Sequence, residues 1–292
     1  MSPRLFVTGG TGFVGRRFLA RLPSDRFPQV FCLTRDPRRL PPRDHRVSAI
    51  PGDLANAASY TDALASSDTV VHLAASVGKA SPAEHFRVNL DGTRLLLEEC
   101  RRLGVERFLH VSSVAVKYKD ISDYPYALSK RAAEAAVRES GLAYCILRPT
   151  LIVGRGGQAW HRLEGWAQRP VIPLPGPGIT LTQPVYVEDL VTCMISVLQD
   201  GRLWNEAFDV GGPDRVTVDT LVQAIHRHHA GKQGRIVHVP LGPILPVLRR
   251  VGMNELHFFL EDGVAETNLL LELHRSAMRG MHEMIALSIE QG

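Results

Sequence analysis

Eight residues near the amino terminus, Thr8-Gly9-Gly10-Thr11-Gly12-Phe13-Val14-Gly15, restrict the fold more than any other part of the chain. Gly9, Gly12 and Gly15 are spaced G-x-x-G-x-x-G, between an apolar run at Leu5–Thr8 and a helical pattern at Phe13–Leu22. A strand that turns into a helix through such a loop needs a residue without a side chain at three points. These are the tight turn, the surface where a pyrophosphate meets the backbone, and the contact between helix and strand. The helix start then offers free N–H groups and a partial positive charge to an anion. Gly9, Thr11, Gly12, Phe13, Val14 and Gly15 are therefore expected to cradle a dinucleotide.

The rest of the first half repeats strand and helix. Short β-branched runs at Val30–Thr34, Val47–Ile50, Thr69–Leu73, Phe108–Ser112 and Ala143–Leu147 alternate with helical patterns at Tyr60–Ala65, Ala83–Leu103 and Tyr124–Ser140. Nearly continuous hydrophobic strands separated by helices predict an α/β fold, a Rossmann-type doubly wound parallel sheet covered on both faces. After Pro149 the rhythm breaks into Gly- and Pro-rich turns, Gly154-Arg155-Gly156-Gly157 and Pro173 to Gly178. The expected division is a nucleotide-binding domain over 1–150 and a smaller, interleaved substrate lobe over 151–292, with the segment near 207–210 returning to the sheet. Val216–His229 reads as a helix, and Glu255 to Ile289 carries helical apolar spacing without a motif.

With 292 residues, 45% hydrophobic and 22% charged, the chain has the composition of a globular protein with a sizeable core. The net charge of +4 is scattered rather than gathered into a stripe, which argues against nucleic-acid binding and for mild attraction of an anionic ligand. Cys32, Cys100, Cys145 and Cys193 lie far apart in apolar stretches and read as buried reduced thiols. Ser2-Pro3-Arg4 leads directly into the first strand, and no apolar run is long enough to span a membrane. A cytoplasmic location is the expectation. His226, His228 and His229 cluster on one helix without a further ligand, so no metal site is assigned. The stripe Leu269, Leu270, Leu271 and Leu273 reads as core or as the interface of a homodimer.

The second strand ends Cys32-Leu33-Thr34-Arg35, where an acid would select NAD by holding the adenosine ribose. Arg35 suits a 2′-phosphate instead, so NADP is the preferred cofactor and NAD the alternative; Asp36, one residue late, competes for the ribose. Tyr126 and Lys130 are four residues apart on a helix and so share a face. A lysine cation about 4 Å from the phenol would favour phenolate by about 4 kcal/mol at an effective dielectric of 20. Ser113, at the end of a parallel strand, can hold a substrate oxygen beside Tyr126.

These features, with Gly52-Asp53-Leu54, His72-Leu73-Ala74-Ala75, Val88-Asn89, Val111-Ser112-Ser113, Tyr126-Ala127-Leu128-Ser129-Lys130 and Leu147-Arg148-Pro149, occur in an order that resembles the extended short-chain dehydrogenase/reductase family, also called the NAD-dependent epimerase/dehydratase family. Gln183-Pro184-Val185-Tyr186-Val187-Glu188-Asp189-Leu190 and Asp209-Val210-Gly211-Gly212 are similar to the branch containing the NADPH-binding accessory subunit of respiratory complex I. The resemblance implies that Asp53 and Leu54 border the adenine, that Ala74 and Ala75 line the path to the nicotinamide, that Pro149 also touches the cofactor, and that Asn89 lies beneath the site. It implies a catalytic set of Ser113, Tyr126 and Lys130, with Tyr126 and Lys130 also touching cofactor. Hydride would pass between the nicotinamide and a carbon of a small-molecule alcohol or carbonyl, a class that includes nucleotide sugars. A catalytically quiet NADPH-binding subunit is the second reading. Two departures bear on substrate: Val116-Lys117-Tyr118 stands where epimerases carry Val-Tyr-Gly, and Leu151 stands where sugar-nucleotide enzymes use an asparagine.

Overall fold

The computed structural model describes residues 3–40, 45–242, 256–274 and 277–289. In chain order the elements of the first half are β1 (Leu5–Thr8), α1 (Phe13–Arg21), β2 (Val30–Thr34), β3 (Val47–Pro51), α2 (Thr61–Ala65), β4 (Thr69–His72), α3 (Pro82–Phe86), α4 (Gly92–Leu103), β5 (Arg107–Val111), α5 (Pro125–Arg138) and β6 (Ala143–Pro149). Then follow β7 (Ile152–Val153), α6 (Gln158–Ala167), β8 (Val171–Pro175), β9 (Leu181–Thr182), β10 (Val185–Tyr186), α7 (Val187–Gln199), β11 (Glu206–Val210), β12 (Val216–Thr217), α8 (Val218–Ala230) and β13 (Arg235–Val239).

Among the described residues the principal sheet has seven strands in the order β11-β6-β5-β4-β1-β2-β3, and β1 to β6 pair in parallel. The sequence order reverses between β1 and β4, which makes the carboxyl ends of these strands the switch point where open α/β sheets bind ligands. The expected Rossmann-type sheet is thus present, and the segment near 207–210 forms its edge strand β11.

The chain divides into two compact units: residues 1–113, 125–148 and 191–208 in one, and 114–124, 149–190 and 209–292 in the other. In the first unit alternate strand residues face a single core, in which Phe6, Val70, Phe108 and Ile146 meet Leu64 of α2, Leu96, Leu97 and Cys100 of α4 and Val137 of α5. Each such side chain contributes about 1.5–3 kcal/mol on burial. On the opposite face of the strands, Cys32 of β2 abuts Gly10 and is fully buried. Most of α7 joins this unit, because Val191, Cys193, Met194 and Val197 are wholly buried.

In the second unit, β8 pairs in parallel with β13, β7 with β10, and β9 antiparallel with β12. Gln183 is fully buried and clamps this unit, its amide donating to the Gly212 carbonyl (2.7 Å) and accepting from the Ala265 N–H (2.9 Å). A side chain on Gly212 would strike the Pro184 carbonyl at 2.0 Å, so both motifs of the second half serve packing here. His226 is also buried, with Nδ1 2.7 Å from the Ala167 carbonyl. The described part of the carboxyl-terminal segment consists of separate short helices at His257–Leu260, Leu269–His274 and Met281–Ile289. Leu269 and Leu270 are buried while Leu273 is exposed, which places the first two in a core.

Candidate functional site

The glycine loop is shaped by contacts that exclude any side chain. Gly9 adopts φ +74°, and a Cβ there would lie 2.5 Å from the Ala74 nitrogen. A Cβ on Gly15 would lie 2.2 Å from the Gly9 carbonyl oxygen, so α1 approaches the loop backbone directly. Gly10, absent from the expected set, matters equally: its Cβ would sit 2.4 Å from Cys32 Sγ. Gly12 is the exposed N-cap of α1 and brings neither a side-chain cap nor an acid into the first turn. The first N–H groups of α1 are left for an anion, which is the donor set a pyrophosphate requires. The residues present therefore fit a dinucleotide. Thr11, Phe13 and Val14 are half-buried around this turn.

At the adenosine end, Arg35 is exposed immediately after β2. Asp36 is held by its neighbour: its carboxylate accepts from Arg38 Nε at 2.9 Å and Nη2 at 3.2 Å and caps the short helix Pro37–Arg39. Asp53 follows β3, and its carboxylate accepts from the Ala55 N–H (2.9 Å). Leu54 packs on the core and against Gly92. Pro149 is buried at the end of β6 and belongs to the second unit.

Between the loop and α5 runs a relay that sequence reasoning missed. Thr8 Oγ1 lies 2.7 Å from His72 Nδ1, and His72 Nε2 lies 2.9 Å from Thr93 Oγ1, which itself donates to the Asn89 carbonyl at 2.7 Å. Since the Thr93 proton is committed, His72 Nε2 must carry the ring hydrogen and Nδ1 must accept from Thr8. Thr8 then accepts the Ala74 N–H at 3.2 Å, so the Thr8 hydroxyl and both His72 ring nitrogens are satisfied. Burial holds His72 neutral, with its pKa pushed down to about 3. The signal was the residue type: a histidine in an otherwise apolar strand needs partners on both nitrogens.

Asn89 lies in a π-helical turn, Arg87–Asp91, between α3 and α4. Its amide accepts from the Ser76 N–H (2.7 Å) and donates to the Ser76 carbonyl (3.1 Å) and Ser129 Oγ (3.0 Å). Ser129 Oγ donates in turn to the Tyr126 carbonyl (2.8 Å). Asn89 thus ties the loop after Ala74 and Ala75 to the helix bearing Tyr126. His85, fully buried, adds a hydrogen bond to Ser76 O (3.2 Å) and sets its ring edgewise to Tyr126, 5.9 Å between centroids.

Ser113, two residues past β5, hydrogen-bonds the Tyr126 phenol. Burial pushes that phenol's pKa up, and the Ser113 bond pulls it partly back. The net shift is upward, against the lowering expected from Lys130. The shared helix face is present, but Lys130 is buried at 2% exposure and donates to the Val111 carbonyl (2.8 Å), with His110 Nε2 at 3.3 Å. Desolvation lowers Lys130 to about 8, against the smaller opposing pull of Glu134. A donor, a phenol and a lysine near neutrality stand together at the carboxyl end of β5, an arrangement suited to moving a proton on and off a substrate oxygen.

Residues 5–211 match the family model described as the NAD dependent epimerase/dehydratase family. The chain is 32% identical over 216 residues to Ceramide reductase of Caulobacter vibrioides, covering 68% of this chain and 67% of that one. It is 32% identical over 207 residues to human 3 beta-hydroxysteroid dehydrogenase type 7, covering 56% of each, so the match spans only about half of that relative. Among solved structures, MoeE5 in complex with UDP-glucuronic acid and NAD superposes with a TM-score of 0.75 at 22% identity over 98% of both chains. UDP-glucuronic acid 4-epimerase from Bacillus cereus in complex with NAD does so at 0.76 and 16%, over 98% of this chain and 96% of that one.

Proposed function

The chain belongs to the NAD dependent epimerase/dehydratase family, and from that premise we propose that it is an oxidoreductase or epimerase acting at an alcohol or carbonyl carbon, with NADP(H) preferred over NAD(H). The observation that carries this reading is the Ser113–Tyr126 hydrogen bond beside the buried Lys130. A protein that only stores a dinucleotide has no chemical need to bury a lysine at a cost in desolvation next to a phenol.

The glycine loop and α1 would hold the pyrophosphate, Arg35 the adenosine end, and Lys130 the ribose nearer the reacting carbon. When bound, the nicotinamide supplies or accepts hydride. Ser113 orients the substrate oxygen. Tyr126 takes the hydroxyl proton as an alcohol is oxidised and returns it as a carbonyl is reduced, while Lys130 keeps a positive charge close enough to ease that exchange. Asn89 and Ser129 fix the backbone of Tyr126 so that the phenol does not wander from the oxygen it serves.

For substrate we favour a largely apolar alcohol or ketone over a nucleotide sugar. Relatives at 32% identity carry names that refer to a ceramide and a 3 beta-hydroxysteroid, and the Leu151 side chain offers no hydrogen bond. A polar contact left unmade costs about 1–3 kcal/mol, roughly ten- to a hundredfold in affinity.

The test is turnover of NADPH and NADP with sterols, long-chain hydroxy and keto lipids, and UDP- and dTDP-sugars. Turnover is expected with a member of the lipid panel, and Tyr126→Phe should lower it roughly 10²–10⁴-fold while sparing cofactor affinity. Low-micromolar binding of a nucleotide sugar would overturn the substrate class, and full activity in Tyr126→Phe the mechanism.

A further inference from the structure

Beneath the proposed site lies a layer of buried imidazole that the chemistry above does not use. His72 and His110 occupy paired positions on β4 and β5, two residues beyond the Val70–Phe108 pair of the apolar core, and their rings stack with centroids 5.4 Å apart. His72 is accounted for by Thr8 and Thr93. His110 is fully buried and, among the described residues, has a single hydrogen-bond partner, the Lys130 ammonium at 3.3 Å from Nε2. An ammonium only donates, so Nε2 must be the unprotonated nitrogen and Nδ1 must carry the hydrogen. That Nδ1–H finds no hydrogen-bond partner among the described residues. A buried donor left unpaired is costly, and a phenylalanine would fill the same space beside Phe108 without that cost. What the phenylalanine lacks is the Nε2 lone pair.

We propose that His110 is a positioning residue for Lys130: its Nε2 lone pair and the Val111 carbonyl hold two of the three ammonium N–H bonds, leaving the third aimed for the ribose and phenol side of the site. A neutral acceptor suits this task better than a carboxylate. It fixes the direction of the ammonium without neutralising its charge, which the proposed reaction needs beside Tyr126. Glu134, on the same helix, is engaged elsewhere, with Arg148 Nε at 2.9 Å. The groups around Lys130 are Tyr126 and Glu134 on α5, His110 on β5 and His72 on β4; α3 contributes His85, which faces the Tyr126 ring, and the π-helical turn contributes the uncharged Asn89. Burial and the neighbouring ammonium both hold His110 neutral, as the acceptor role requires.

The proposal rests on the functional reading above for its purpose, but its test does not need turnover. In the cofactor-free chain labelled at lysine Cε, the Lys130 resonance is identified by its loss in Lys130→Met, and its pH titration is followed by NMR. His110→Phe removes an acceptor of the ammonium and should lower the Lys130 midpoint by roughly one unit, the scale of a charge-assisted hydrogen bond, whereas His110→Gln, which restores an acceptor, should recover most of it. Imidazole ¹⁵N shifts of the unmodified chain should show His110 as the Nδ1–H tautomer, a measurement that requires no folded variant. An Nε2–H tautomer would overturn the proposal, as would a Lys130 titration that neither substitution moves or that both move alike. If the titration shifts as expected while no substrate is turned over, the positioning role stands and the functional reading fails. Where activity is found, the alkaline limb of kcat should move to lower pH in His110→Phe and return in His110→Gln.

Discussion

Thr93 Oγ1 accepts the His72 Nε2 hydrogen at 2.9 Å and donates its own to the Asn89 carbonyl at 2.7 Å, so one hydroxyl joins β4 to the turn that carries Asn89. All three residues are buried. The hydroxyl's absence would leave the His72 N–H without a partner. Thr93→Val should therefore destabilise the chain by about 1–3 kcal/mol, the cost of a buried donor left unsatisfied, and Thr93→Ser should cost much less. Denaturant unfolding at fixed pH measures both. Equal stability of Val and Ser variants would mean that the relay contributes nothing and that packing alone matters.

Gly15 tests the cradle at its tightest point. With a Cβ 2.2 Å from the Gly9 oxygen and 2.7 Å from Gly10 Cα, Gly15→Ala must push α1 away from the loop backbone. The N–H groups that face the proposed pyrophosphate move with the helix. We expect cofactor affinity to fall by at least about tenfold, equivalent to about 1.4 kcal/mol, with the fold retained. Calorimetric titration with NADPH would show it. By contrast Gly104→Ala, where a Cβ meets nothing within 4 Å although φ is +76°, should strain a helix end and leave affinity intact.

Lys130 carries a pH signature in stability. Its pKa is about 8 in the folded chain against 10.5 ordinarily, because burial disfavours the ammonium. Between those values the unfolded chain binds more protons than the folded one, so stability rises with pH from about 8 to about 10.5; below 8 the full penalty applies. A difference of about 2.5 units corresponds to something on the order of 3 kcal/mol. Lys130→Met should lose this rise, and the difference between the two unfolding curves, measured from pH 7 to 10.5, isolates it from other groups. A wild-type stability no more pH-dependent than the variant's would place Lys130 in a wetter environment than the structure does.

How much of this could be read beforehand depended on whether the cause was local. The strands and the glycine loop were legible because apolar runs and residues without side chains act within a few positions of themselves. Ser113, Tyr126 and Lys130 were legible as a spacing on one strand end and one helix face. Where the Lys130 ammonium points was not legible, because it depends on His110, twenty residues away, and on the register that pairs His110 with His72. Asn89 likewise reads as a lone amide until Ser76 and Ser129 are brought to it from a loop and another helix. The carboxyl-terminal segment showed helical spacing, but its described part is broken into short helices whose packing decides which leucines are buried.

The geometry after β2 bears on cofactor choice. Arg35 is exposed, whereas the Asp36 carboxylate is engaged at 2.9 and 3.2 Å by Arg38 and also caps the Arg38 backbone. A carboxylate held in that way is poorly placed to accept both hydroxyls of a ribose, while an exposed guanidinium suits a 2′-phosphate. The unmodified chain should bind NADPH more tightly than NADH by roughly tenfold or more. Arg35→Asp should remove or reverse that ratio, and Arg38→Ala, by releasing Asp36, should narrow it while leaving NADPH binding largely intact. Fluorescence titrations of both reduced dinucleotides against the three proteins give the ratios directly. Equal or tighter binding of NADH by the unmodified chain would show that Arg35 does not select the cofactor and that Asp36 escapes Arg38 when the ribose arrives.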